Sequence, residues 1–180
     1  MRSPLAELPA VTAVLQSEGI AHALIGGWAV ITWGFLRASD DFDLLIDLPR
    51  SGRGRLLKAL ASGWEAEWIE GGEDDPIPGL IRAKPREGGL PIDLLPARSA
   101  ADREALSRAL EVSVEGTSVM VVAPEDLLAM KLEAGGGQDF EDARRLLTIL
   151  SGKLDMKTVR ERCTQRRVAD LLDRIYPPKK

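Results

Sequence analysis

Asp41 and Asp43, in the run Leu36-Arg37-Ala38-Ser39-Asp40-Asp41-Phe42-Asp43-Leu44-Leu45-Ile46-Asp47, are the residues whose type and spacing point most directly to chemistry. Residues i and i+2 of a β-strand project from one face, so the two carboxylates would stand side by side with Cα atoms roughly 7 Å apart. That arrangement suits a divalent cation. A third acid, Asp93, interrupts another short apolar run, Leu90-Pro91-Ile92-Asp93-Leu94-Leu95-Pro96. If the two runs pair as neighbouring strands about 4.8 Å apart, three carboxylates converge on one patch. At roughly 5 Å and an effective dielectric of about 20, each like-charge pair costs about 3 kcal/mol, which a bound cation would relieve. Asp40 has the opposite strand parity and is expected to face away, and Asp47 lies two pleats beyond the pair, so neither is assigned to the site.

Other chemistries are excluded by what the chain lacks. Cys163 is the only cysteine, so no intrachain disulfide or thiolate zinc site can form, and a reducing cytoplasm is the expected compartment. His22 is the only histidine, which removes zinc-protease and Ser-His-Asp arrangements together. Catalysis must therefore rest on carboxylates, Lys, Arg, hydroxyls or backbone. The longest uncharged apolar stretch, Ala23 to Leu36, contains three glycines and is too short for the roughly 20 residues of a membrane span. Residues 1–9 carry an acid and two prolines where a signal peptide would have its apolar core.

With 180 residues, 44% apolar and 29% charged, the chain has the makings of one well-buried domain and a small helical appendage. Its net charge of −4 hides an asymmetry, because residues 153–180 hold nine Lys or Arg against four acids. Such a basic end could touch RNA or a nucleotide, or simply be a solvated helical surface.

The elements that must position the acids follow from periodicity. Leu5, Leu8, Val11 and Leu15 fit a helix over Pro4–Glu18 stopped by Gly19, and His22–Ile25 reads as a strand running into Gly26-Gly27. Trp28–Trp33 reads as a buried helix, Phe42–Leu48 as an apolar strand, a helix follows to about Ser62, and Glu65–Glu70 is a strand before an acidic loop over Gly71–Pro78. Leu80–Ala83 and Leu90–Leu95 are expected strands, Ala100–Leu110 a helix, and Glu111–Val114 with Ser118–Val122 a hairpin. Beyond Pro124 the pattern is helical, with apolar sets at Leu127, Leu128, Leu132, then Phe140, Ala143, Leu146, Leu147, Leu150, and finally Val168, Leu171, Leu172, Ile175. The expected class is α+β, a mixed sheet with flanking helices and a helical C-terminal third.

Gly26-Gly27 sits between a strand and a helix, where backbone N–H groups could cradle phosphate oxygens or the glycines could make a plain tight turn. Only thirteen residues separate Gly27 from Asp41, enough for a short helix to bring the acidic strand back beside the glycines.

Taken together, Ile25-Gly26-Gly27-Trp28-Ala29, Arg37-Ala38-Ser39-Asp40-Asp41-Phe42-Asp43 and Pro91-Ile92-Asp93-Leu94-Leu95 resemble the active-site signature of the DNA-polymerase-beta-like nucleotidyltransferase superfamily. The run Val122 to Ala134, followed by Asp139 and Asp142, further resembles minimal nucleotidyltransferases of the abortive-infection toxin type. The resemblance implies a nucleotidyltransferase core over residues 1–123 and a helical region over residues 124–180 packed on it. It implies that Gly26 and Gly27 hold nucleotide phosphates, that Asp41 and Asp43 bind two Mg²⁺ ions, and that Asp93 holds the catalytic metal and helps activate an acceptor hydroxyl. Lys131 matches a lysine that meets the nucleotide, although an ordinary surface lysine would read the same. Arg37 matches a position that touches phosphate or orients the loop, and a structural salt bridge accounts for it as well. The chain departs from the pattern at Gly135-Gly136-Gly137, where a basic residue is usual.

The reaction so implied is transfer of a nucleoside monophosphate from an NTP to a hydroxyl of tRNA or protein, as the toxin of a toxin–antitoxin pair with an antitoxin partner. Antibiotic nucleotidylation is the alternative within the same chemistry, because the acidic loop at Gly71–Pro78 could attract a cationic aminoglycoside. A non-catalytic nucleotide- or partner-binding module is the alternative outside it. Gly52-Arg53-Gly54-Arg55 lacks the third glycine of a dinucleotide fingerprint, and Gly135-Gly136-Gly137 lacks the Lys-Ser/Thr ending of a P-loop, so both read as turns. Trp28 is close enough to the glycines to touch a base, but core packing accounts for it and the other tryptophans equally.

Overall fold

The computed structural model describes residues 8–72, 79–114 and 116–177. Residues 4–7 of the expected first helix and 73–78 of the acidic loop lie outside it.

Helix α1 (Leu8–Ser17) buries Leu8, Val11 and Leu15 at three- and four-residue spacing. Gly19, at φ +68, turns the chain out of it. Strand β1 (His22–Ile25) runs directly into α2 (Gly26–Thr32), and β2 (Phe42–Ile46) follows. Then come α3 (Arg53–Leu60), β3 (Trp64–Glu70), β4 (Gly79–Pro85), β5 (Ile92–Pro96) and α4 (Ala100–Ser107), with the hairpin β6 (Leu110–Val114) and β7 (Thr117–Val121) closing the α+β part. The remainder is helical: α5 (Pro124–Ala134), α6 (Gly137–Ile149), α7 (Met156–Gln165) and α8 (Ala169–Ile175).

The strands form one mixed sheet in the order β3-β4-β5-β2-β1-β7-β6. β2 runs parallel to β5 and β1 parallel to β7, while the other neighbours are antiparallel. Central strands covered on both faces are near-continuously apolar, and β2 and β5 obey this: Phe42, Leu44, Ile46, Ile92 and Leu94 are all buried. Each run is broken by a single carboxylate.

Helix α5 presents no simple amphipathic stripe, because it buries Leu127, Leu128, Ala129 and Leu132 together with Asp126 and Lys131. A helix buried around most of its circumference sits inside the fold. Its apolar residues join Leu24, Phe42 and Val121 in one continuous core.

Several elements differ from the sequence expectation. Helix α2 begins at Gly26 and not at Trp28, so the glycine pair forms its first turn. The helix expected to reach Leu110 stops at Ser107, and Leu110 instead pairs with Val121 at the start of β6. Helix α7 has no clear apolar pattern, since Lys157, Arg160, Glu161 and Arg162 dominate it and only Val159 and Cys163 are buried. It begins at Asp155, whose carboxylate accepts a hydrogen bond from the Lys157 N–H at 3.0 Å. Two arginines of the basic end are held by acids: Arg160 by Asp173 at 2.6 Å on the surface, and the buried Arg166 by Asp102 at 2.9 Å.

Because α5 shares its core with the sheet, the helical third should unfold with the rest. Leu128→Ala is expected to lower stability by about 2–5 kcal/mol. Urea unfolding followed by far-ultraviolet circular dichroism and by tryptophan fluorescence should shift together. Separate transitions for the two probes would show an independent helical unit.

Candidate active site

The pairing of β2 with β5 sets Asp43 directly opposite Asp93, and the pairing of β4 with β5 sets Arg82 on the other side of Asp93. One line therefore crosses four strands on one face: Ile25, Asp43, Asp93, Arg82. Asp41 lies at the entrance to β2, close enough for its charge to act on Asp43. Of the three acids anticipated from their spacing, Asp43 and Asp93 stand in register on adjacent strands, while Asp41 falls just outside β2 and so does not share a strand face with Asp43 as expected. Asp40 and Asp47 are exposed and take no part.

Asp93 is only 4% exposed, and both its oxygens accept from Arg82, Oδ1 from Nε at 2.8 Å and Oδ2 from Nη2 at 2.5 Å. Such fork geometry is the strong form of an ion pair. Arg82 belongs to none of the motifs that mark the site in the sequence. The signal was present in the alternation Leu80-Ile81-Arg82-Ala83, where burial of Ile81 and Ala83 on one face turns Arg82 to the other.

Asp43 has no comparable partner. Burial, then the charges of Asp41 and Asp93, push its carboxyl up to about 7, while Lys131 and Arg37 pull the other way. A desolvated carboxylate beside two others is a group that a cation would hold ionised. The donors are all hard oxygens, which suits Mg²⁺, an ion bound through one or two carboxylates plus substrate phosphates in preference to an all-protein cage. Among the described residues no group of three or more Asp, Glu, His or Cys is arranged to hold a metal by itself. The residues fit an ion taken up together with phosphate oxygens.

The glycine pair is dictated by these neighbours. Gly26 sits at φ +64, and a Cβ there would lie 1.9 Å from Asp43 Oδ2, so any side chain would displace the carboxylate. A Cβ on Gly27 would meet Arg37 Nη2 at 2.5 Å and Ser39 Oγ at 2.4 Å.

Arg37 and Lys131 meet at Asp142, which is fully buried. Arg37 Nη2 donates to Asp142 Oδ2 at 3.3 Å, and Gln138 Nε2 donates to Oδ1 at 3.2 Å. Lys131 Nζ lies 3.0 Å from Asp142 Oδ2 and donates to Asp139 Oδ1 at 2.8 Å. Lys131 is thus a braced, buried residue, and Arg37 makes the structural salt bridge. The glycine run shows how: Gly135, at φ +73, ends α5, and the chain turns back through Gly136 so that α6 delivers Asp139 and Asp142 to the lysine.

Beside this cluster opens a cavity of about 440 Å³. Its walls include Gly26, Asp43, Lys131 and Asp139 from the cluster, Arg98, Asp102 and Arg166 beyond it, and the apolar Leu45, Leu95 and Met130. Among the described residues of the basic end, Arg166 reaches these walls, held by Asp102 at 2.9 Å and Glu133 at 2.5 Å. Trp28 stacks on Phe42 with ring centroids 4.8 Å apart, which makes it core packing. Cys163 is fully buried and its thiol is pushed up to about 11, so it stays a neutral small apolar residue.

Residues 5–170 match the family described as nucleotidyl transferase of unknown function (DUF2204). No curated protein matches the chain in sequence. In three dimensions it is similar to the antibiotic-resistance factor ANT(2'')-Ia in solution, at 18% identity over 94% of this chain and 95% of that one, with a TM-score of 0.60. It is similar to ANT(2'')-Ia in complex with adenylyl-2''-tobramycin, at 19% identity over 91% of this chain and 98% of that one, with a TM-score of 0.60. It is also similar to the lincosamide antibiotic adenylyltransferase LnuA with lincomycin bound, at 18% identity over 79% of this chain and 96% of that one, with a TM-score of 0.53. At these identities the likeness is one of fold.

A carboxyl whose folded pKa is raised holds its proton more tightly than the unfolded chain does. The stability linked to Asp43 is therefore present at pH 4 and lost as pH rises towards and through about 7. A divalent cation competes with that proton, so thermal stabilisation by Mn²⁺ should be weak at pH 6 and strong at pH 8. Apparent affinity should climb about tenfold per pH unit below the pKa and level off above it. A response independent of pH would remove Asp43 as a ligand. Gly26→Ala should abolish the Mn²⁺ response by driving a methyl group into the Asp43 carboxylate, measured by the same thermal shift.

Proposed function

We propose, for a chain that belongs to the nucleotidyl transferase family of unknown function, that it moves a nucleoside monophosphate from an NTP to a hydroxyl acceptor and releases pyrophosphate. The observation that carries this reading is the register of Asp43 against Asp93 on adjacent parallel strands, with Gly26 packed over Asp43. Asp41, Asp43 and Asp93 are the residues to hold Mg²⁺. Two such ions, when bound, stabilise the attacking and leaving oxygens of an in-line displacement.

The chain's own groups supply the rest. Backbone N–H groups of Gly26 and Gly27 bind phosphate oxygens, needing no side chain to do so. Lys131 has two of its three donors on Asp139 and Asp142, and turns the third to the triphosphate. Arg37 acts through Asp142, fixing the carboxylate that in turn fixes Lys131. Asp93 takes the proton of the acceptor hydroxyl as its oxygen bonds to the α-phosphorus, and the bond from that phosphorus to the pyrophosphate oxygen breaks.

For the acceptor, two readings rest on different observations. A hydroxyl of tRNA or protein, modified by the toxin of a toxin–antitoxin pair, rests on the residue pattern from Val122 to Asp142. A small hydroxylated antibiotic rests on the similarity in fold to ANT(2'')-Ia and LnuA and on a cavity of about 440 Å³, which is in the small-molecule range.

Labelled NTP incubated with Mg²⁺ and either total RNA, cell protein or a panel of aminoglycosides and lincosamides tests both. Transfer is expected to fall about a hundredfold or more in Asp41→Asn and in Asp43→Asn. Unchanged transfer in Asp41→Asn would remove the mechanism. Label on an antibiotic, with raised resistance in cells expressing the chain, selects the second acceptor. Growth arrest on expression with label on RNA or protein selects the first, and NTP binding without pyrophosphate release points to a sensing module.

A further inference from the structure

The line across the sheet ends on a charged residue that the transfer chemistry leaves without a role. Arg82 faces the acids from β4, and its guanidinium feels Asp93 first, then Asp41 and Asp43. Its side chain is 36% exposed while that of Asp93 is 6% exposed, so the pair is open to solvent on the arginine side. Glu67, which pairs with Arg82 across β3, is exposed, so Asp93 is the partner that holds the guanidinium in place.

A fork on both oxygens does not block the carboxylate. Each ionised oxygen has two lone pairs, and Arg82 uses one on each, leaving the others for a metal ion or an acceptor hydroxyl. The fork also holds the carboxylate plane in one orientation, which a lysine ammonium, a point charge on a flexible stem, could not do.

We propose that Arg82 is a positioning residue of this site. Its guanidinium supplies part of the compensating charge while no cation is bound, and it fixes the plane in which Asp93 meets the acceptor. The inference rests on the nucleotidyl-transfer reading above. It has two separable consequences. Charge at residue 82 opposes a divalent cation, so removing it tightens metal binding. Fork geometry at residue 82 orients Asp93, so removing it slows turnover even when charge is kept.

The experiment uses the full chain as wild type, Arg82→Gln and Arg82→Lys, each checked for native circular dichroism. Mn²⁺ binding is read from the loss of the free-ion electron paramagnetic resonance signal, without nucleotide. Turnover is read as pyrophosphate release from a mixture of the four NTPs in the presence of total RNA, cell protein and the antibiotic panel, whose hydroxyls take the nucleotidyl group. Arg82→Gln is expected to bind Mn²⁺ about tenfold more tightly, because one positive charge beside three carboxylates is gone, and to lose several degrees of melting temperature that Mn²⁺ restores. Its kcat should fall about tenfold or more with KM for NTP little changed. Arg82→Lys should bind Mn²⁺ as the wild type does and show the same fall in kcat.

Mn²⁺ affinity in Arg82→Gln that is unchanged or weaker overturns the proposal, and so does wild-type kcat in Arg82→Lys. Asp41→Asn separates this from the reading beneath it. Loss of Mn²⁺ binding and turnover in Asp41→Asn, with Arg82→Gln behaving as wild type, would sink the role of Arg82 and leave nucleotidyl transfer standing. Retention of both in Asp41→Asn would sink nucleotidyl transfer itself.

Discussion

Gathering like charges in the middle of a sheet is the constraint on which this molecule turns. Asp43 and Asp93 lie opposite one another on two central strands whose other residues are apolar and, apart from Leu95 and Pro96, buried. Each carboxylate loses water and gains a repelling neighbour, and the rise of the Asp43 carboxyl to about 7 is the outcome. No fold tolerates this without compensation nearby. Arg82 on β4 answers Asp93 directly, whereas Lys131 on α5 and Arg37 before β2 act on Asp43 only across space. The acid left least compensated is the one beside Gly26, at the edge of the cavity.

The helical third of the chain is arranged around a second buried carboxylate. Asp142 is fully buried and receives Arg37, Lys131 and Gln138 of its own helix, so two other segments, α5 and the stretch before β2, converge on this one side chain of α6. Removing one partner of such a cluster typically costs about 3–5 kcal/mol, since the remaining charge is left buried and unpaired. The same convergence determines where Lys131 points. Gly135 in the left-handed region makes it possible, because only a sharp reversal brings α6 back along α5 within reach of the lysine. A basic residue in the glycine run would have a different use, and this chain spends those positions on the turn.

Legibility in the sequence followed the length scale of the interaction. β2 and β5 were readable because an apolar run of strand length broken by one acid fits a buried strand better than a helix or a loop, and Gly26-Gly27 because glycine pairs punctuate. Helix α7 was not, because a helix that buries only Val159 and Cys163 leaves no stripe to count. Its stability comes from its contacts with α5 and α8 and from Arg166, which reaches Asp102 and Glu133, partners far away in the chain. The end of α4 was misplaced for a related reason: Leu110 continues a helical period, yet its pairing with Val121 draws it into the sheet.

The sequence by itself determined the fold class, the two apolar strands each broken by an acid, the glycine pair at the junction of strand and helix, and, with one cysteine and one histidine, too few such residues for a thiolate zinc site or a disulfide. Those follow from local geometry, in which the period of a strand or helix and the conformational range of glycine are properties of neighbouring residues. Only the tertiary structure decided that Asp43 meets Asp93 in register, that Arg82 holds Asp93, and that Arg37 and Lys131 share Asp142. Each depends on which strand or helix lies beside which, and that choice is made by the burial of a whole core whose energy no short stretch of residues contains.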